Sequence, residues 1–149
     1  MLLPRRTLLA LAAAATTVLA AGCNTAVNAN TSMLEAKLTA ASEVPATNSA
    51  GSGYARIWLN KDTRGMKWKI EYSGLTGPAT IAHFHGPAAP GVNAPPIITF
   101  PTPIRSPIEG ETTLTPEHMD QVLRGQWYVN VHTAANPGGE IRGQVVVVR

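Results

Sequence analysis

Cysteine is all but missing from this chain of 149 residues: Cys23 is the single example, so no internal disulfide can form and a CxxC redox pair is excluded. Charge is thin as well. Lys, Arg, Asp and Glu together make up 14% of the residues, against about 25% in an ordinary soluble domain. There is no Ser-His-Asp spacing, no nucleotide-binding glycine loop and no paired-carboxylate motif. Hydrolases, kinases and thiol oxidoreductases are left without their working parts. No internal repeat is present.

The formal net charge of +3 owes much to the N-terminus. Residues 1–23 carry Arg5-Arg6, then the apolar run Leu8-Leu9-Ala10-Leu11-Ala12-Ala13-Ala14-Ala15, then the small residues Ala20-Ala21-Gly22 before Cys23. A basic start, a short apolar core and a small-residue end read as an export signal. The run is too short and too rich in alanine for a membrane-spanning helix, which needs about 20 apolar residues. Removing it takes away Arg5 and Arg6 and no acid, so the remainder is nearly neutral, which argues against nucleic acid as a partner.

Arg5-Arg6 followed by Thr7-Leu8-Leu9 resembles a twin-arginine export signal, with the general secretory route as the alternative. Leu19-Ala20-Ala21-Gly22-Cys23 resembles the lipobox of bacterial lipoproteins, which implies lipidation of Cys23 and attachment to a membrane through that anchor. Leu19 stands one place further from the cysteine than the pattern has it, so ordinary cleavage and soluble release is the alternative. Either way the expected location is the periplasm or cell envelope. Residues 24–32, small and polar, read as a flexible tether, and 33–149 as one domain large enough to bury a core without disulfides.

Within that domain the dominant signal is alternation with period two. Residues 33–41 alternate as Leu34, Ala36, Leu38 and Ala40 against Glu35, Lys37 and Thr39, and 66–73 as Met66, Trp68, Ile70 and Tyr72 against Lys67, Lys69, Glu71 and Ser73. Between them 53–60 forms a strand joined to 66–73 by a hairpin in which Gly65 is expected to take the positive φ. Further strands are expected at 97–100, 108–114 and 126–134, and a last one at 140–148 whose valines on both faces suggest a central strand covered on both sides. Thr115-Pro116-Glu117 carries a cap, a first-turn proline and an acid at the positive end of the dipole, so a short helix is predicted over 116–123, ending at Gly125. About eight short strands separated by Gly and Pro turns, with one helix, indicate an all-β antiparallel sandwich.

Three of the four histidines lie in two stretches, Ile81-Ala82-His83-Phe84-His85-Gly86-Pro87 and Tyr128-Val129-Asn130-Val131-His132-Thr133. Alternation puts Phe84, Val129 and Val131 toward the core, so His83, His85, Asn130 and His132 face the other way. If the two strands are neighbours, about 4.8 Å apart, three imidazoles converge on one spot, since i and i+2 side chains stand about 7 Å apart. Imidazoles without thiolates or a nearby Asp suit copper, or less well zinc, over calcium or magnesium. The alternative is a polar cluster that merely holds the Gly- and Pro-rich loop 86–96. Glu140 and Arg142 share a face of the last strand; with Asn130 they are candidates for an outer shell around the histidines, and otherwise make a surface ion pair. His118, on the predicted helix, is read as a surface histidine.

Several ordered stretches resemble the CHRD domain, the module named from chordin and also found alone in exported bacterial proteins. They are Leu38-Thr39-Ala40-Ala41-Ser42-Glu43-Val44-Pro45, Ala82-His83-Phe84-His85-Gly86-Pro87-Ala88, and Tyr128 to Thr133 leading through Asn136-Pro137-Gly138-Gly139-Glu140-Ile141-Arg142-Gly143-Gln144. The likeness spans about residues 33–147 and implies an immunoglobulin-like β-sandwich or barrel; it implies no settled activity. His83, His85 and His132 are also similar to the copper-side ligand pattern of copper/zinc superoxide dismutase, but the zinc-side loop and the disulfide of that enzyme have no counterpart here. With no acid, base or nucleophile evident beyond the histidines, the expected function is a binding or interaction module for an unidentified protein or small ligand. A copper-dependent redox enzyme and a purely structural or adhesive envelope domain are the alternatives.

Overall fold

The computed structural model describes residues 30–148. The expected export signal, Cys23 and most of the expected tether lie outside the described residues; Thr31 and Ser32, assigned to the tether from sequence, already belong to the first strand. The strands are β1 (Thr31–Thr39), β2 (Ser52–Asn60), β3 (Gly65–Ser73), β4 (Ala79–His85), β5 (Pro96–Thr99), β6 (Ile108–Thr113), β7 (Tyr128–Thr133), β8 (Ile141–Gln144) and β9 (Val146–Val147), with one α-helix, α1 (Pro116–Leu123). A single 3-10 turn, Ala40–Ser42, follows β1 where the alternation had suggested that the strand continued.

All pairings are antiparallel, and they make one sheet in the order β5-β4-β7-β8-β1-β2-β3-β6, with β9 beside β1. Trp68 on β3 meets Phe84 on β4 edge to face, ring centroids 5.5 Å apart, although four strands separate β3 from β4 in that order. The sheet therefore curls over and closes on its own apolar face. Phe100 and Trp127 complete the aromatic cluster around Phe84, with centroids at 5.2 and 6.1 Å. Leu34, Leu38, Ile57, Leu59, Ile70, Val129 and Ile141 fill the rest. Each such side chain contributes roughly 1.5–3 kcal/mol by leaving water.

The helix forms as its sequence predicts. Thr115 Oγ1 accepts from the His118 backbone N–H at 3.1 Å, Pro116 opens the first turn, and Gly125 ends it at φ 70°. Val122 is buried, and Gln121 accepts from Trp127 Nε1–H at 3.1 Å, pinning α1 to the start of β7. His118 packs edgewise on Trp127 and stands apart from the other histidines.

Two expectations change. The left-handed residue of the β2–β3 hairpin is Arg64, at φ 59°, and not Gly65. Asn60 Oδ1 accepts from the N–H groups of Asp62 and Thr63, and Arg64 Nε–H donates to Leu114 O at 3.1 Å, which together hold that conformation. The last strand is not one covered element. β8 is central, between β7 and β1, but the chain breaks step at Val145, whose N–H bonds Trp127 O. Val146, Val147 and Val148 emerge 46%, 44% and 49% exposed, because they run beyond Tyr128, where β7 begins opposite Gln144.

Candidate metal centre

β4 and β7 are neighbours, and their register places Asn130 opposite His83, Tyr128 opposite His85, and His132 opposite Ile81. One strand turns Phe84 into the core and the other Val129 and Val131, so His83, His85, Asn130 and His132 share the far face. That face is not open. The segment 86–95 folds back over it before β5 pairs with β4, and the three histidines are only 9%, 8% and 6% exposed. Gly86 permits the return: a Cβ there would sit 2.5 Å from Trp127 Cδ1.

One ring nitrogen from each of His83, His85 and His132 lies within 4.8 Å of the other two. His83 Nδ1 is 3.1 Å from His132 Nε2. Two backbone carbonyls fix the tautomers. Ala94 O accepts from His85 Nδ1–H at 2.8 Å and Pro137 O accepts from His132 Nδ1–H at 2.9 Å. In the neutral rings both Nε2 atoms are then bare lone pairs, and both stand 3.0 Å from Asn130 Oδ1. Imidazoles that give one N–H to a carbonyl and aim the other nitrogen at a common point have the arrangement metal-ligating histidines adopt.

The electrostatics keep these rings neutral. Burial pushes His83 down to about 4, helped by the neighbouring His132 and His85, with a hydrogen bond from the ring to the Asn130 side chain acting the other way. Burial also lowers His85 and His132, against the raising effect of the Ala94 and Pro137 carbonyls. Neutral imidazole is the form that ligates.

Around the histidines the residues divide differently from the sequence expectation. Asn130 touches His85 and His132 directly. Arg142 reaches no histidine: its guanidinium lies on the Tyr128 ring and donates to Val92 O at 2.7 Å and Asn93 Oδ1 at 2.9 Å. It acts on the loop that supplies the Ala94 carbonyl. Glu140 is a separate buried anchor. Its carboxylate accepts from Ser49, Thr76, Thr133 and Asn136, tying three loops together. Burial would raise it, but the bonds from Ser49, Thr133 and Thr76 overcome that and hold it down at about 2.

Two further participants emerge from the fold: Tyr128, which alternation places on the histidine face without a role, and Glu43, which no alternation marks. Tyr128 stacks on His85 with centroids 4.7 Å apart and planes 2° from parallel, and its hydroxyl meets both the N–H and the carbonyl of Ala94 at 3.2 Å. Glu43, in the loop after the 3-10 turn, is buried with its Oε1 lacking a hydrogen-bond partner. Burial raises it to about 7, while the Arg142 charge, the Val44 backbone and a hydrogen bond from the Asn130 side chain draw it partly back. Gly139, at φ 128°, leaves room for that carboxylate, which a Cβ would strike. Only the folded chain brings residue 43 to residues 130 and 139.

The family model described as the CHRD domain matches residues 34–145, which takes in every strand that carries a site residue. No curated protein and no solved structure matches the chain.

Proposed function

The chain belongs to the CHRD-domain family, and we propose that this member is an exported, lipid-anchored module that binds one transition-metal ion, copper foremost, through His83, His85 and His132. The single observation that supports the metal is the pair of tautomers fixed by Ala94 O and Pro137 O, which aim two bare Nε2 atoms at one point beside His83 Nδ1. Three neutral nitrogen donors favour copper and then zinc over oxygen-seeking cations. Without an ion, His83 Nδ1–H donates to His132 Nε2; with one, the His83 proton sits on its other nitrogen. The proposed route and anchor rest on Arg5-Arg6, the apolar run and Cys23.

Calorimetric titration of the purified protein with Cu²⁺ and with Zn²⁺ tests the site. One equivalent is expected, and it is lost in the His83→Gln, His85→Gln, His132→Gln triple variant; binding unchanged in that variant sinks the proposal. Mass spectrometry of envelope-extracted protein is expected to find an acylated Cys23 as the first residue. Unacylated full-length chain in the cytoplasm would contradict the anchor.

A further inference from the structure

We infer that Asn130 is itself a ligand, its Oδ1 completing a three-nitrogen, one-oxygen set for a divalent ion; the inference rests on the metal reading above. Oδ1 is 3.0 Å from His85 Nε2 and 3.0 Å from His132 Nε2, and His132 Nε2 is 3.1 Å from His83 Nδ1. Two donors each about 2.1 Å from one ion, at right angles across it, are separated by about 3.0 Å. At the tetrahedral angle that zinc prefers the separation is about 3.4 Å, so the spacings around Oδ1 and His132 Nε2 reach those of a shared ion by opening a few tenths of an ångström.

A bond from His83 Nδ1–H to His132 Nε2 accounts for the last spacing, but hydrogen bonding does not account for the two to Oδ1. With Nδ1–H of His85 and of His132 committed to Ala94 O and Pro137 O, neither Nε2 carries a proton to give Oδ1. Oδ1 then faces two acceptors, the His85 Nε2 lone pair, which has no proton to meet, and that of His132, which already takes the His83 proton, in a place sealed from water, with Asn130 3% exposed. That arrangement repels unless a positive charge sits between them. The atom of the Asn130 amide that stands 3.0 Å from both rings is Oδ1 and not the nitrogen. Every donor of the set is neutral, so the ion keeps its full charge. An amide oxygen among imidazoles suits Cu²⁺ or Zn²⁺ over the softer cuprous ion, which selects thiolate and thioether.

The test is a crystal structure of the intact protein loaded with one equivalent of Zn²⁺, paired with zinc titration of two variants. The expected result is zinc on all three histidines with Asn130 Oδ1 within about 2.4 Å. Asn130→Ala is expected to bind zinc more than about tenfold more weakly, and Asn130→Asp, which keeps an oxygen in place, at least as tightly as the parent. Zinc on the histidines with Oδ1 beyond about 3 Å, or equal affinity in the parent and Asn130→Ala, overturns the ligand assignment and leaves the metal reading standing. Zinc absent from the histidines overturns both. Should Asn130→Ala fail to fold, the zinc-loaded parent structure decides alone.

Discussion

Arg142 lies flat over Tyr128, its guanidinium carbon 3.4 Å from the ring centroid, and Tyr128 in turn lies parallel on His85. The three form a stack running from β8 across β7 to β4, roofed by the loop whose Val92 and Asn93 bind the guanidinium. A buried cation on an aromatic face contributes about 2 kcal/mol or more, and the two hydrogen bonds add to it. Arg142→Ala is expected to cost about 3–5 kcal/mol in urea unfolding and to weaken metal binding through loss of the Ala94 position. Tyr128→Phe, keeping the stack but losing the hydroxyl, is expected to cost about 1 kcal/mol. An Arg142→Ala protein as stable as the parent would show that the stack is incidental.

Glu140 joins segments far apart in sequence through hydrogen bonds from Ser49, Thr76, Thr133 and Asn136. Its acidity is held at about 2 against an ordinary 4.5, so the folded state favours the ionised form. The stabilisation is present above pH 4.5 and is lost as the pH falls toward 2, an effect on the order of 3 kcal/mol. Glu140→Gln replaces one acceptor oxygen by a donor in a site full of donors, and is expected to lose about 3 kcal/mol at pH 7. It should also flatten the acid limb of stability against pH. An unchanged acid limb would remove Glu140 from this role.

Glu43 has the opposite sign. Its acidity is raised from 4.5 to about 7 by burial, so the folded state holds the proton. Stability from this group is present below pH 4.5 and is lost as the pH climbs through 7. Glu43→Gln mimics the protonated form and is expected to be more stable than the parent at pH 8, by up to about 3 kcal/mol, with little difference at pH 4. Denaturant midpoints at the two pH values, with chelator present, check this; a larger gain at pH 4 than at pH 8 would reverse the assignment.

The strands were legible because half of each is buried. Met66, Trp68 and Ile70 alternate without a break and form β3, and Thr115-Pro116 marks the start of α1. The facing of His83, His85 and His132 followed from Phe84 and Val131 by the same rule. What alternation cannot carry is what lies on top of a face. It left the histidines simply outward, whereas the segment 86–95 covers them and Arg142 and Tyr128 secure that cover. Glu140 and Arg142 share a face by pattern, yet Glu140 precedes β8 and turns to the loops around Thr76 and Asn136. Glu43 was invisible, since nothing local marks a loop carboxylate for burial beneath residues nearly a hundred positions away.

The site's own dependence on pH follows from its burial. A surface histidine competes with protons near pH 6.5, whereas His83 is pushed down to about 4 and His85 and His132 are lowered too, all by burial first. Protons compete with a metal only when they bind the same nitrogens, so affinity for Zn²⁺ is expected to be nearly flat from pH 8 to about pH 6.5 and to hold well below that range. It should then fall as the pH drops toward 4, where His83 takes its proton. The same shift sets a stability slope: burying neutral rings is penalised only where the unfolded chain would be protonated, so below about pH 6.5 the histidines destabilise the metal-free fold increasingly. Zinc titration at pH 7.5, 6.0, 5.0 and 4.0 separates this site from a surface cluster. A tenfold loss between pH 7.5 and 6.0 would show that the rings are as accessible to protons as free imidazole, and would remove the buried, pre-deprotonated centre.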